Sequence, residues 1–433
     1  MARLARRLGV SDAVLIGLGS MLGAGVFVAF APATAAAGGG PGLLAALGVA
    51  GLVAYCNATS SARLAARYPE SGGSYVYGRQ RLGDFAGFLA GWGFVVGKTA
   101  SCAAMALTIG AYLWPGLARP VAALAVAALA AVNLGGVEKT ARATRWLVTV
   151  TLVVLAGVAL AGLFGGSFDP ARVGTHLTGA GPGGAAEPGG GAGIGGLAPP
   201  GVLTAAGLLF FAFAGYARIA TLGEEVREPE RTIPRAVPLA LGLVMAIYLV
   251  LAVVALAVLG PDRLAGSAAP LAEVVATSGP AGLDWLVRAG ATVAVTGVLL
   301  ALLAGVARTV LAMARRRDLP AVLDAVHPRR RVPYRAELAV AAAVIGMVSL
   351  GDLPGAIGFS SCTVLVYYAI TNAAALTLGR DRTRRVPVRA LAGLGLVGCV
   401  LLAVTLPTAS VLAGFGVLAV GALGFAVRRA VRR

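Results

Sequence analysis

Charge is scarce in this chain: only 12% of its 433 residues are Asp, Glu, Lys or Arg. Acidic side chains are the scarcer half, 18 against 36 basic ones, and there are 4 cysteines and 2 histidines. A water-soluble domain needs more charge than this to cover its surface, so that class is excluded. His176 and His327 have no Cys or His partner at metal-ligand spacing, which argues against zinc or haem and predicts no cofactor. Cys56, Cys102, Cys362 and Cys399 fall inside apolar runs and read as small buried residues rather than disulfide partners. No Gly-x-x-x-x-Gly-Lys-Ser/Thr phosphate loop is present, so nucleotide hydrolysis is not the energy source.

What is abundant is apolar sequence. Hydrophobic residues make up 58% of the chain, and the mean hydropathy is +0.86. The runs are about 20 residues long, the length that crosses a hydrocarbon core. Twelve spans are expected, near 13–37, 41–65, 84–113, 119–135, 145–165, 200–222, 237–260, 285–311, 336–350, 356–378, 388–406 and 408–427. The first run is too long for a cleaved signal peptide and is read as retained. On this division 31 of the 36 basic residues lie on one side, Arg119, Arg172, Arg263 and Arg288 on the other, and Lys98 within a span. The positive-inside rule then places both termini in the cytoplasm of a multi-pass protein of the cytoplasmic membrane. Topology accounts for the net charge of +18, so the expected surroundings are a lipid bilayer and not nucleic acid.

One stretch is unlike an ordinary span. Gly17-Leu18-Gly19-Ser20-Met21-Leu22-Gly23-Ala24-Gly25-Val26-Phe27 puts glycines at the centre of the first run, where they loosen the helical ladder. Two readings compete: a seam for close helix packing, or a broken helix whose backbone lines a polar cavity. Span six has a second disturbed centre, Phe210-Phe211-Ala212-Phe213-Ala214-Gly215-Tyr216, and leaves through Glu224 to Arg235. Spans one and six are the first members of successive groups of five. Matching broken helices in two halves are a sequence pointer to a midplane site in an inverted-repeat carrier, which favours the cavity.

Other features are local. Ser11-Asp12 is a candidate cap for the first helix. Tyr77, Arg79 and Arg81 after the turn-rich 68–75 predict an interfacial helix on the cytoplasmic face, with aromatic and Arg side chains at headgroup level. Residues 165–200, rich in glycine, predict a mobile outer loop. Lys98 lies about 14 residues into span three, roughly 21 Å along the helix, too far for its stem to snorkel back. An intramembrane charge costs at least ~2.5 kcal/mol, so it is expected to act in a cavity. As the only deep ionisable group read from the sequence, it leaves no acid-base constellation, and no enzyme is expected. Phe359, Tyr367 and Tyr368 in span ten read as packing.

Three motifs carry a resemblance. Residues 17–27, the exit Phe210 to Arg235, and Ala307-Arg308-Thr309-Val310-Leu311-Ala312-Met313-Ala314-Arg315 with Asp318-Leu319-Pro320 and Val332-Pro333-Tyr334-Arg335-Ala336 resemble the amino acid-polyamine-organocation permease superfamily. The resemblance implies an all-α integral membrane protein of LeuT-type fold, a single transmembrane domain over 1–433. Its inverted five-helix repeats would cover 13–165 and 200–378, with two additional helices over 388–427. It implies a small-molecule amino acid substrate whose carboxylate faces Ser20, Gly23, Ala24 and Gly25, with Phe210, Ala212, Phe213 and Gly215 supplying carbonyls and the side-chain wall.

The chain also departs from the family. Thr151 stands where many proton-coupled relatives carry a lysine in helix five, and Gly97 where many cationic amino acid carriers carry a glutamate in helix three. Lys98 and Thr151 are therefore the ion-coupling candidates. For Lys98 three roles stay open: a resident cation, a partner for an acidic substrate side chain, or a partner for backbone carbonyls. Leu299 to Gly305 in span eight has no hydroxyl, which disfavours sodium, a cation that wants oxygen ligands. The expected function is secondary transport of neutral amino acids, coupled to protons or to exchange. Cationic or acidic amino acids or polyamines are the alternative substrates, and a sensor that binds without transporting is the alternative class.

Overall fold

Backbone amides at membrane depth must bond one another, which leaves helices as the solution for apolar runs of this length. The structure, a computed structural model, describes residues 8–68, 72–136, 141–177, 200–220, 226–378 and 388–431. The chain passes through α1 (Val10–Met21), α2 (Ala24–Val28) and α3 (Phe30–Ala37), which form one broken span, then α4 (Gly40–Arg67) and the short α5 (Ser74–Leu82). It continues through α6 (Asp84–Leu113), α7 (Ala118–Leu134) and α8 (Ala141–Phe164). A second broken span follows, α9 (Pro200–Phe213) and α10 (Ala217–Ala220) joined by a 3-10 turn over Ala214–Tyr216. Then come α11 (Pro229–Gly266), α12 (Pro270–Ser278), α13 (Asp284–Arg315), α14 (Tyr334–Leu350), α15 (Leu353–Leu376), α16 (Val388–Val404) and α17 (Thr408–Val431).

Among the described residues nine helices are long and apolar enough to cross a membrane. The broken first span and the shorter α14 and α16 make up the expected twelve. Span seven starts earlier than expected, at Pro229, because a proline is accommodated at a helix start; the helix then kinks at Gly260, whose φ is 72°. Asp12 does cap α1: it accepts from the Gly9 N–H at 3.2 Å and pairs with Arg145 of α8 at 2.7 Å.

The most buried span is α6, which packs against α13 and α15. Small residues along it permit that approach. A Cβ at Gly97 would lie 2.3 Å from Thr363 Oγ1, and one at Gly91 would lie 2.6 Å from the Tyr75 ring. Gly97 therefore sits where no larger side chain has room, because span ten fills the space.

Two expectations are corrected. The tyrosines of the interfacial helix do not face lipid headgroups but pack into the protein: Tyr75 and Tyr77 of α5 are buried, at 3% and 1% exposure. The cause is the loop after span eight. Asp318 accepts from Tyr75 Oη at 2.6 Å and pairs with Arg79 at 3.3 Å, while Arg79 also pairs with Asp84 at 3.0 Å. On the other flank the Ser74 N–H donates to Tyr367 Oη at 3.2 Å, and Ser74 Oγ bonds Thr371. Burial, reinforced by the Asp318 carboxylate, pushes the Tyr75 hydroxyl above its ordinary range, so it stays a donor. The second correction concerns the outer loop. Its described part, residues 165–177, is docked: the Gly40 N–H donates to Thr175 O at 3.0 Å and Leu177 N–H to Gly38 O at 3.2 Å. The glycines at 38–40 make this contact, since a Cβ at Gly40 would lie 2.1 Å from Val173 O. Residues 178–199, with most of the glycine runs, lie outside the described residues.

Asp318→Ala is expected to strip Tyr75 and Arg79 of their shared acceptor and lower unfolding free energy by about 3 kcal/mol. That is the low end for a broken buried pair, because Arg79 keeps Asp84. Tyr75→Phe should cost only ~1 kcal/mol, and thermal unfolding in nanodiscs ranks the two.

Candidate functional site

The first span stops being helical at Leu22 (φ −80°, ψ 53°) and Gly23 (φ −107°, ψ −146°) and resumes at Ala24. Ala29, the residue between α2 and α3, keeps right-handed helical dihedrals, so 24–37 runs on almost continuously. The start of α2 has no side-chain cap, and its first N–H groups have no carbonyl one turn back to receive them. The second break lies directly against the first. A Cβ at Gly215 would fall 2.2 Å from Ser20 O, and one at Gly25 would fall 2.5 Å from Ala212 Cα. Packing seam and break are thus one feature, with Gly25 and Gly215 as the points where the two spans touch backbone to backbone. Gly23 differs: its nearest neighbour is the Val298 side chain of α13, at 3.3 Å.

Carbonyls freed by the breaks are met by tyrosines. Tyr248 of α11 places its hydroxyl 2.7 Å from Met21 O, at the end of α1, and 3.0 Å from Ala212 O of α9. Tyr112 of α6 donates to Phe27 O at 2.8 Å, and its ring stands edge-on to Phe27. Tyr368 of α15 donates to Ala214 O at 3.3 Å, and its ring meets Phe210 edge-on and stacks obliquely on Tyr216. Phe213 packs edge-on against Tyr248 at 5.1 Å. All these rings are buried.

Lys98 reaches the same place. It is 8% exposed and directs Nζ at Ala214 O, 3.5 Å away, the carbonyl that Tyr368 also uses. Among the described residues no ion pair includes it. The chain thus brings Lys98 together with Phe210, Ala212, Phe213 and Gly215 at the second break, and Ser20, Gly23, Ala24 and Gly25 at the first. Ser20 spends its hydroxyl on Ile16 O at 2.9 Å, so its backbone rather than its side chain faces Gly215. Thr151 is apart from this group: its hydroxyl bonds Leu147 O, one turn back on α8, at 2.8 Å.

Three features escaped the sequence reading. Tyr248 is a lone polar aromatic in an aliphatic span, a signal that was present but passed over. Tyr367 and Tyr368 do more than pack, since both hydroxyls bond backbone. Glu337, in the first turn of α14, is another buried ionisable group at 3% exposure, accepting from Asn133 at 2.8 Å; its place at a span end disguised it. An apolar cleft lined by Leu152, Leu155, Ala159, Ile247, Val250 and Leu251 between α8 and α11 contains none of the site residues.

Two breaks in contact, wrapped by unbroken spans, define a membrane permease of the LeuT-type fold, and the solved structure of MhsT in complex with L-phenylalanine shares it. That match has a TM-score of 0.63 over 94% of this chain and 99% of the other, at 15% identity. The family is plain from sequence: the model for amino acid permeases matches residues 12–376, and the chain belongs to that family. An uncharacterized transporter of Mycobacterium tuberculosis is 59% identical over 99% of this chain and 93% of its own. A branched-chain amino acid permease of Bacillus subtilis is 26% identical over 85% and 80%.

Sequence alone treats Gly23 and Gly25 alike; the packing separates them. Gly25→Ala drives a methyl into the α9 backbone and is expected to abolish a stable fold, whereas Gly23→Ala meets only a valine side chain and should fold. Size-exclusion profiles and thermal unfolding test this order. Tyr248→Phe keeps the ring, orphans two carbonyls and should cost about 1–3 kcal/mol on the same readout.

Proposed function

We propose that this permease carries neutral amino acids across the cytoplasmic membrane by alternating access, with its basic face inward. The observation that carries the reading is the meeting of the two breaks. The uncapped N–H groups of Gly23, Ala24 and Gly25 offer partial positive charge to a carboxylate. The carbonyls around Ser20, Met21, Ala212 and Ala214 offer partial negative charge to an ammonium. Tyr248 and Tyr368 already use three of these carbonyls, and Lys98 also reaches Ala214 O, but the Met21 and Ala212 oxygens each have a second lone pair for a substrate. Phe210 and Phe213 wall the pocket, which suits an uncharged side chain. The repeats 13–165 and 200–378 each supply one of the two breaks, and 388–427 lies outside them.

Coupling falls to Lys98 rather than Thr151. Lys98 stands on the carbonyl at the second break, while the Thr151 hydroxyl is occupied within its own helix. Sodium does not suit this arrangement, because Val298 sets an isopropyl group, not an oxygen, against Gly23. Protons or exchange remain as the driving force. A second reading rests on one observation: Lys98 has no carboxylate partner among the described residues, so an acidic substrate side chain would supply one.

Uptake by purified protein in proteoliposomes, with a panel of labelled amino acids and an imposed proton gradient, tests both. Neutral substrates should dominate without added sodium, and Lys98→Met should remove the pH dependence while leaving the preference for neutral substrates. Preferred uptake of aspartate or glutamate, lost in Lys98→Met, favours the second reading. Unchanged pH dependence and substrate range in Lys98→Met excludes both roles for the lysine, and binding without flux would make the protein a sensor.

A further inference from the structure

Beside the breaks, four elements meet around polar side chains that the proposed ligand site does not use. Asn57 and Ser60 come from α4, Tyr216 from the 3-10 turn of span six, Asn372 from α15 and Cys399 from α16, and none is more than 1% exposed. Asn372 Nδ2 donates to Asn57 Oδ1 at 2.6 Å, and Cys399 Sγ donates to the same oxygen at 3.2 Å. This leaves Asn57 Nδ2, Asn372 Oδ1, Ser60 Oγ and Tyr216 Oη without a hydrogen-bond partner. Tyr216 Oη neighbours both Tyr368 and Asn57. Turning the two amides over does not remove the problem. Two side-chain amides joined by a single bond leave one amino group and one carbonyl over in either orientation. Gly395 lets α16 approach this pair closely, since a Cβ there would lie 2.8 Å from the Asn372 amide.

We propose that this junction encloses an internal water site. The unmet groups specify their ligand. Asn57 Nδ2 can only donate and Asn372 Oδ1 can only accept, while the Ser60 and Tyr216 hydroxyls do either. A ligand for this set must both donate and accept. A bare cation would face the Asn57 amino group, and no carboxylate belongs to the set. An anion would face the Asn372 carbonyl, and no Lys or Arg belongs to it. Water makes about three hydrogen bonds at buried sites of this kind, and here it accepts from Asn57, donates to Asn372 and bonds Tyr216 or Ser60. Its placement has a consequence for span six. Tyr216 closes the 3-10 turn, so a water beside it lets the turn exchange partners without stranding a polar group in the membrane.

Radiolytic hydroxyl-radical footprinting of the full chain in nanodiscs tests this, because a bound water becomes the radical source for the side chains touching it. Tyr216 should be oxidised severalfold faster than Tyr248, which is equally buried but bonded to two carbonyls. The double variant Asn57→Leu with Asn372→Leu should bring Tyr216 down to the Tyr248 rate. Tyr216 oxidised no faster than Tyr248 in the unsubstituted protein overturns the proposal. So does fast oxidation that persists in the double variant, since water would then reach Tyr216 from bulk. If the double variant does not insert, Asn372→Leu alone carries the same comparison.

Discussion

The constraint on which this structure depends is that no backbone N–H or C=O at membrane depth can look to solvent for a partner. A helix meets that requirement by itself, and a broken helix does not. Everything around the two breaks answers this demand. Tyr248 serves the carbonyls at the end of α1 and near the end of α9 with one hydroxyl, Tyr112 serves Phe27, and Tyr368 shares Ala214 with Lys98. These donors come from spans three, seven and ten, which stay helical where the donors sit. The breaks are therefore a property of the bundle, held open by side chains that arrive from elsewhere in the chain.

The same constraint explains why the lysine tolerates its position. An ammonium among apolar side chains is costly, but a carbonyl released by a helix break is one of the few acceptors a membrane interior offers. Lys98 and the second break support each other in that sense. The basic face follows different rules. There Asp318 binds Tyr75 and Arg79 and draws α5 down between α6 and α15, so that a segment with the composition of a surface helix becomes part of the packed interior.

Much of this was legible in the sequence. Span number and the two disturbed centres follow from the apolar runs and the glycines, because hydrophobic length and backbone permissiveness are local properties. The family follows from three motifs in order. The burial of α5 was not legible, since it depends on a carboxylate more than 230 residues away in the chain, as the Tyr75 to Asp318 separation of 243 shows. Nor was the division of labour among the glycines. Gly17-Leu18-Gly19 and Gly23-Ala24-Gly25 look alike in one dimension, yet Gly25 abuts backbone and Gly23 only a valine.

Sequence by itself thus determined the class of molecule, the number of its spans, and where two of them would break. Hydrophobicity, glycine content and charge placement act along the chain and need no fold to be read. Only the tertiary structure decided what the breaks are in contact with: each other at Ser20–Gly215 and Gly25–Ala212, and the tyrosines and lysine that satisfy them. Partner identity in a membrane interior is a matter of which helices lie side by side, and that is settled by packing between segments far apart in sequence.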